Sequence, residues 1–457
     1  MPTSDPFMGM PGRLQWLLFL LALVTAGVAS AETTAFVRVN VIPMDRERVL
    51  RDQTVLVEGG RISAIGRDLK LPADAKIVDG RGTAYLLPGL ADMHIHADTR
   101  EELALMLASG ITTALDMGEA SNAFVGRTRA AVEKGEVPGP RVFAALAVDG
   151  SSRYGHLVVP TPEAARWAVG LAKANGYEFI KVYNGLTPEV FAALVAEAKA
   201  ADIPIVGHNV ESVRLEKQVA AGQSMIAHLE EFLYAFMRFP PGSESAVVPD
   251  EVEVARAVEF VKNSGVVVTA DLATYQAIAA QWGRPEVVAS SVAGYSGRYL
   301  SPGDRIAWKS SGYQKRSGSL DARAKFLAQF VKALADADVP LIAGTDAPSI
   351  PGLAVGQALF VNLAALESAG LSRFEAISTA TKAPGQFLAR SRPGSQVFGT
   401  VSIGNRADLV LLGTNPLDDL KALERPLGVM AAGRWHDAEA LSAMRQNVLE
   451  TYATGTP

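Results

Sequence analysis

The chain has 457 residues, 49% of them apolar, no cysteine and a formal net charge of -5. That length and apolar content suit a large core with an accessory domain. The lack of cysteine excludes disulfides and thiolate metal ligands, and mild acidity without Lys/Arg runs gives no electrostatic case for nucleic acid.

Leu14 to Val28 is an apolar run in which Gln15 is the one clearly polar residue, with Arg13 before it and Ala29-Ser30-Ala31 after it. A basic start, a short apolar stretch and an A-x-A site are the parts of a secretory signal peptide, here residues 1–31. The run is short for a membrane span, which needs about 20 apolar residues, so an uncleaved anchor is the weaker reading. The expectation is a periplasmic or secreted protein without a stable membrane anchor after cleavage.

Residues 32–87 read as short strands: Phe36 to Ile42, Gln53 to Glu58, Arg61 to Ile65 and Lys76 to Asp79, separated by Gly59-Gly60, Gly66 and Pro72. Residues 388–440 resume that style with Gly399 to Ile403, Ala407 to Leu412 and Gly428 to Arg434. These two stretches predict a small β-sandwich domain formed from both chain ends, with residues 441–457 as a C-terminal tail.

Between them, residues 88–387 alternate short apolar runs with helical patterns. The runs are Ala91 to His96, Ile111 to Met117, Arg141 to Val148, Phe179 to Tyr183, Ile203 to Asn209, Ser224 to Glu230, Val266 to Leu272 and Pro340 to Thr345. Eight strands with crossover helices, such as Pro188 to Ala200, predict an α/β fold, the (β/α)8 TIM barrel. The stretch from about Thr274 to Val339 is long for one connection and rich in aromatics. It reads either as a lid or pocket wall on the active-site face or as extra helices packed on the barrel's side.

The six histidines carry the chemistry. His94 and His96 are two apart on the first strand and so share a face. His208 and His228 sit near the ends of the fifth and sixth strands. Asp346 follows the eighth, in Gly344-Thr345-Asp346-Ala347-Pro348. Barrel sites are built where the strands end, so four imidazoles and a carboxylate converge at one mouth, a donor set that suits zinc and its neighbours. A lone buried histidine is more often a hydrogen-bonded core residue; it is the joint placement that argues for metal. His156, just beyond the third strand, falls at the same mouth, whereas His436 lies in the tail and has no assigned role.

These residues carry a resemblance. Pro88-Gly89-Leu90-Ala91-Asp92-Met93-His94-Ile95-His96 resembles the first-strand motif of the amidohydrolase superfamily. Ser109-Gly110-Ile111-Thr112-Thr113 resembles its second-strand entry, and Gly399-Thr400, Ile403-Gly404 and Ala407-Asp408-Leu409-Val410 its closing β-domain motif. The likeness implies two divalent metal ions, zinc by preference: one held by His94, His96 and Asp346, the other by His208 and His228, with a carboxylated lysine on the fourth strand bridging them. Lys181 fits the bridging role. An ammonium ion buried in that strand would be expensive, although a lysine with a buried stem and a solvated head is the alternative.

The implied activity is hydrolysis of a carbon–nitrogen amide bond, in a dipeptidase, prolidase-like or imidazolonepropionase-like enzyme acting on a dipeptide, an N-acyl amino acid or a related amide. Asp346 would move the proton, His156 would assist the leaving group, and Arg153, Tyr183 and Tyr275 would bind substrate. One departure matters: His208-Asn209-Val210-Glu211 also resembles the H-x-x-E of mononuclear deaminases, which keeps a deaminase or cyclic amidohydrolase as the alternative. A binding protein that has lost catalysis is a third reading, and the intact ligand set argues against it. The expected partner is a small amide or peptide, with self-association left open.

The leader gives the first prediction. N-terminal sequencing of protein recovered from periplasm or medium is expected to begin at Glu32; a mature chain that keeps Met1, or one confined to the cytosol, would rule the leader out.

Overall fold

The computed structural model describes residues 33–236 and 251–454, so the expected leader lies outside the described residues. Among the described residues no helix is long and apolar enough to cross a membrane.

Eight parallel strands follow one another in chain order: Leu90–Ile95, Ile111–Asp116, Arg141–Asp149, Phe179–Val182, Ile205–Gly207, Gln223–Ile226, Val267–Thr269 and Leu341–Ile342. They are the eight expected strands. The last four are shorter than expected, because the chain leaves the ladder before the apolar run ends and spends those residues on the site. Helices cross between strands with ordinary capping chemistry. In Pro188–Ala201, for example, Thr187 accepts the Val190 N–H, proline opens the first turn and Asp202 closes the last in a left-handed conformation.

Alternate strand residues point inward and outward. Phe179 joins an inner cluster with Met93, Phe143, Val206, Met225, Val267 and Ile342, while Ile180 and Val182 face the helices. Lys181 therefore points inward. The first strand breaks this alternation on purpose. Its register against the second slips between Asp92 and Ile95, so Met93 packs inside while Ile95 packs outside. Such a bulge re-aims side chains at a barrel rim, here those of His94 and His96.

The barrel closes through a seam of backbone hydrogen bonds. Met93 N–H donates to Ala343 O at 2.9 Å, Asp346 N–H to His94 O at 2.8 Å and His96 N–H to Ala347 O at 2.8 Å, with a parallel bridge between Ile95 and Ala347. Below the seam, Gly89 N–H donates to Asp408 O, which ties the barrel to the second sheet.

That second sheet is built from both chain ends. Its order runs Arg434–Asp437, Gly428–Ala431, Leu409–Leu412, Tyr85–Pro88, Thr34–Val41, Leu50–Glu58 and Arg61–Gly66, with Lys76–Asp79 also paired to Thr34–Val41. Phe36, Val55, Leu86, Leu409 and Met430 share its apolar core. Three local expectations are corrected. Gly399 to Ile403 is not a strand but a bend and turn, in which Gly399 at φ +88° packs against the Thr381 carbonyl. Gly428 to Arg434 divides into a hairpin because Ala432 and Gly433 both take positive φ, the geometry of a two-residue turn. Residues 441–454 of the expected tail belong to a helix, Ala438–Thr454, whose Val448 and Tyr452 pack with Leu105 and Tyr299.

At the seam, a Cβ on Gly344 would stand 2.7 Å from His94 Cβ and 2.5 Å from Thr269 Cγ2. Gly344→Ala is expected to destabilise the fold by about 1–3 kcal/mol, the usual range for overpacking. It should also displace His94, so metal affinity should fall together with the melting temperature. Unchanged melting and unchanged metal binding would show that the seam yields without cost.

Candidate active site

The inward face of the seam places two histidines against a carboxylate. His96 Nε2 lies 2.8 Å and His94 Nε2 3.4 Å from Asp346 Oδ1. Asp346 holds a left-handed backbone with φ of 58°, which Asp tolerates better than most residues. Lys181 Nζ, only 1% exposed, stands 3.4 Å from His94 Nε2. Ring centroids of His94 and His228 are 4.4 Å apart and those of His208 and His228 are 4.8 Å apart. The structure thus brings His94, His96, Lys181, His208, His228 and Asp346 together.

The outer nitrogens explain why the rings point as they do. His94 Nδ1 meets Ala227 O at 3.1 Å, His208 Nδ1 meets Glu231 Oε1 at 2.5 Å, and His228 Nδ1 bonds Asp271. Glu231 also accepts the Asn209 N–H and Asp271 the Leu229 N–H. Anchoring at Nδ1 leaves Nε2 of each of these three rings for the interior, the second-sphere arrangement found around metal-bound histidines. His208 Nε2 and His96 Nδ1 are buried without a hydrogen bond; for the latter, Glu119 Oε1 is 3.9 Å away. Donor atoms of His94, His228 and Asp346 lie within 4.8 Å of one another. Buried imidazoles with orphaned nitrogens beside a carboxylate fit a divalent ion of the zinc type.

Burial sets the charge states. It holds His94 and His208 well below the usual imidazole value, helped by the neighbouring His228 and Lys181. Burial opposes charge on His228 as well, but the Asp271 and Glu230 carboxylates prevail and raise it. Lys181 is pushed down to about 8 by burial, against the pull of Asp346 and Asp116. Burial would raise Asp346, yet its hydrogen bond and charge contact with His96 keep it below the usual carboxylate value.

The expected substrate contacts fall into two groups. The Tyr183 ring lies tilted 3.9 Å from that of His208 and 4.7 Å from that of His156, and Tyr154 leans on Tyr183 with the Arg153 guanidinium 5.1 Å over the Tyr154 ring. These residues form one wall of the mouth. His156 is held down to about 4 by burial and by the nearby Lys181 and His96, so it is neutral at physiological pH. Tyr275 belongs elsewhere: it is 4% exposed and packs in the main core on the helix Leu272–Gln281. Glu211 is exposed, and the carboxylates whose fields reach Lys181 first are Asp346, Asp116, Glu119 and Glu231. In the long connection Trp308 donates to Pro348 O at 2.6 Å, just past Asp346, and Tyr313 stacks on Trp282 within the field of the Asp346 carboxylate.

Sequence reasoning missed Glu231, Asp271 and Asp116, whose carboxyl oxygens accept the Ala97, Gly118, Glu119 and Ala120 N–H groups behind the histidines. They share no one position: Asp116 ends the second barrel strand, Asp271 lies just past the seventh, and Glu231 opens a short helix after the sixth.

Residues 85–436 match the amidohydrolase family, and the chain belongs to it. Bottromycin amidohydrolase superposes over 92% of this chain and 90% of its own, with a TM-score of 0.73 at 23% identity. A Xaa-Pro dipeptidase with bound methionine in its active site covers 89% of this chain and 100% of its own, with a TM-score of 0.62 at 19% identity. Among curated relatives, a dihydroorotase of Geotalea daltonii is 49% identical over 47 residues, which span 10% of this chain and 11% of that enzyme.

The carboxylate behind His228 is the sharpest test of the ring geometry. Asp271→Asn is expected to lower metal affinity by about 10- to 100-fold, the usual cost of losing such a partner. Competition against a chromophoric chelator measures it, and unchanged affinity would reduce Asp271 to packing.

Proposed function

We propose that this protein is a hydrolase that cleaves a carbon–nitrogen amide bond in a small substrate, such as a dipeptide or an N-acyl amino acid, outside the cytoplasm. The observation that carries the reading is the convergence of His94, His96, Lys181, His208, His228 and Asp346 at the mouth of a family barrel. The dipeptidase among the structural neighbours supports a peptide-like substrate, and the apolar leader supports export.

His94, His96 and Asp346 would hold one divalent ion and His208 and His228 a second. Bound there, such ions polarise a carbonyl and bring water near ionisation at neutral pH. Lys181, whose amine loses its proton near pH 8, can be carboxylated by carbon dioxide, with release of a proton, to give an anionic oxygen donor between them. Asp346 accepts a proton from the attacking water and passes it to the departing nitrogen, since one carboxyl oxygen can hold a ligand while the other handles the proton. His96 orients Asp346, and Tyr183 with Tyr154 closes the mouth on the side of His208. His156 is placed to accept a hydrogen bond from the substrate as a neutral ring.

The direct test is a screen of dipeptides, N-acyl amino acids and cyclic amides on metal-loaded protein, with ammonia release followed in parallel; ammonia without amide cleavage would favour deamination.

Lys181→Ala is expected to lose one or both ions and most activity, with partial rescue by short carboxylic acids. Full activity with one ion would remove the bridge from the mechanism.

Asp346→Asn keeps the shape and one oxygen but removes the base. Its kcat should fall by roughly two to four orders of magnitude on an alkyl amide, the usual worth of acid–base catalysis. A nitroanilide or ester should suffer less, because its leaving group needs less protonation. If the metal-loaded variant hydrolyses both at wild-type rate, the shuttle is another group, with His156 next in line.

A further inference from the structure

Three carboxylates lie behind the sixth and seventh strands, and two of them are fully occupied. Asp271 holds His228 Nδ1 and the Leu229 N–H; Glu231 holds His208 Nδ1 and the Asn209 N–H. The third, Glu230, has its Oε2 buried and without a hydrogen-bond partner among the described residues. A carboxylate oxygen left so costs free energy unless a cation or a donor meets it. Donor atoms of His228, Glu230 and Asp271 lie within 4.8 Å of one another, which places Glu230 beside the catalytic cluster rather than at the rim. On the open side stands Tyr313, which feels both the Asp346 and the Glu230 carboxylates and is stacked on Trp282.

We propose that Glu230 forms a subsite for an ammonium group, so that the preferred substrate carries a free α-amine on the residue whose carbonyl is attacked. The proposal rests on the amide-hydrolase reading and narrows it from amides in general to peptides with an unblocked N-terminus. An α-ammonium is two bonds from its own carbonyl carbon. A carboxylate that grips it must therefore sit next to the group that binds the carbonyl, as Glu230 sits two residues beyond His228. Rim cations such as Arg153 are exposed and carry no such constraint. An N-acyl amino acid would leave the Glu230 oxygen as it stands now, buried and unmet, and a site built for a polar group rejects an analogue that lacks it.

The test compares alanyl-leucine with propionyl-leucine, which differ by the ammonium alone, on metal-loaded wild type and Glu230→Gln. The wild type is expected to favour alanyl-leucine in kcat/KM by about 10- to 100-fold, mainly through KM, the usual worth of a charged hydrogen bond. Glu230→Gln should erase most of that ratio while its metal content stays that of the wild type. The propionyl-leucine rate of each preparation is its own control for folding. Equal kcat/KM for the two substrates in the wild type would overturn the proposal. So would a ratio that survives the substitution, or a loss of metal in Glu230→Gln, which would make Glu230 a metal ligand. If the wild type cleaves neither, the amide-hydrolase reading fails for these compounds, and the subsite is judged by calorimetry with alaninamide and propionamide. Tighter binding of alaninamide that is lost in Glu230→Gln supports it. A margin that persists in the variant overturns it.

Discussion

The structure depends on one seam. The His94 carbonyl accepts the N–H groups of Thr345 and Asp346, and the His96 N–H reaches Ala347 O, so that the first strand is pinned to the segment after the eighth. Backbone groups inside a barrel must be paired, and here that pairing fixes where the side chains of His94, His96 and Asp346 stand. The bulge between Asp92 and Ile95 then turns both histidines into the barrel, while Asp92, bonded to the Thr345 hydroxyl, fills the space behind them. Closing the fold and assembling half of the site are the same event.

Charge is balanced around that seam in layers. Four imidazoles and a lysine are buried together, and burial works against the charge on His94, His208, His228 and Lys181. Asp346 stands among them, Asp271 and Glu231 behind them, and Asp116 beneath the loop that borders His96. Each carboxylate is spent on a ring nitrogen, on backbone N–H groups, or on both. With Nδ1 of His94, His208 and His228 held, their Nε2 atoms are left with lone pairs for the interior. The cluster therefore favours an ion that bonds to nitrogen and oxygen lone pairs over a simple diffuse counter-charge.

Much of this was legible in the sequence because strand periodicity and barrel topology constrain each other. Eight apolar runs gave eight strands, and the rule that barrel sites gather at strand ends put His94, His208, His228 and Asp346 in one place before any coordinates did. Lys181 was readable because an ammonium in the apolar run Phe179 to Val182 has no cheap explanation. What stayed hidden depends on side chains meeting across long separations. Nothing local marks Glu231 as the partner of His208 or Asp271 as that of His228, and an acidic residue after a strand resembles any solvated turn. Tyr275 was misplaced for a related reason: a tyrosine following the seventh strand can face the mouth or the helix layer, and the helical phase from Leu272 turned it into the core. The tail helix was itself legible, since Leu441, Val448 and Tyr452 recur at helical spacing; what stayed hidden was its partners, Leu105 and Tyr299, which are remote in sequence.

The accessory sheet has a consequence for the order in which the chain can fold. Its central ladder joins Tyr85–Pro88 to Leu409–Leu412, segments from opposite ends of the sequence, and the barrel seam likewise waits for residues 343–347. Local helices can form early, but neither closed unit exists until most of the polypeptide is present, and the entropy of bringing such distant segments together is met late. A chain emerging from the ribosome therefore offers no finished domain for most of its length. Under the proposed export, that delay would keep the chain loose enough to be threaded through a membrane pore, and the seam would lock only afterwards.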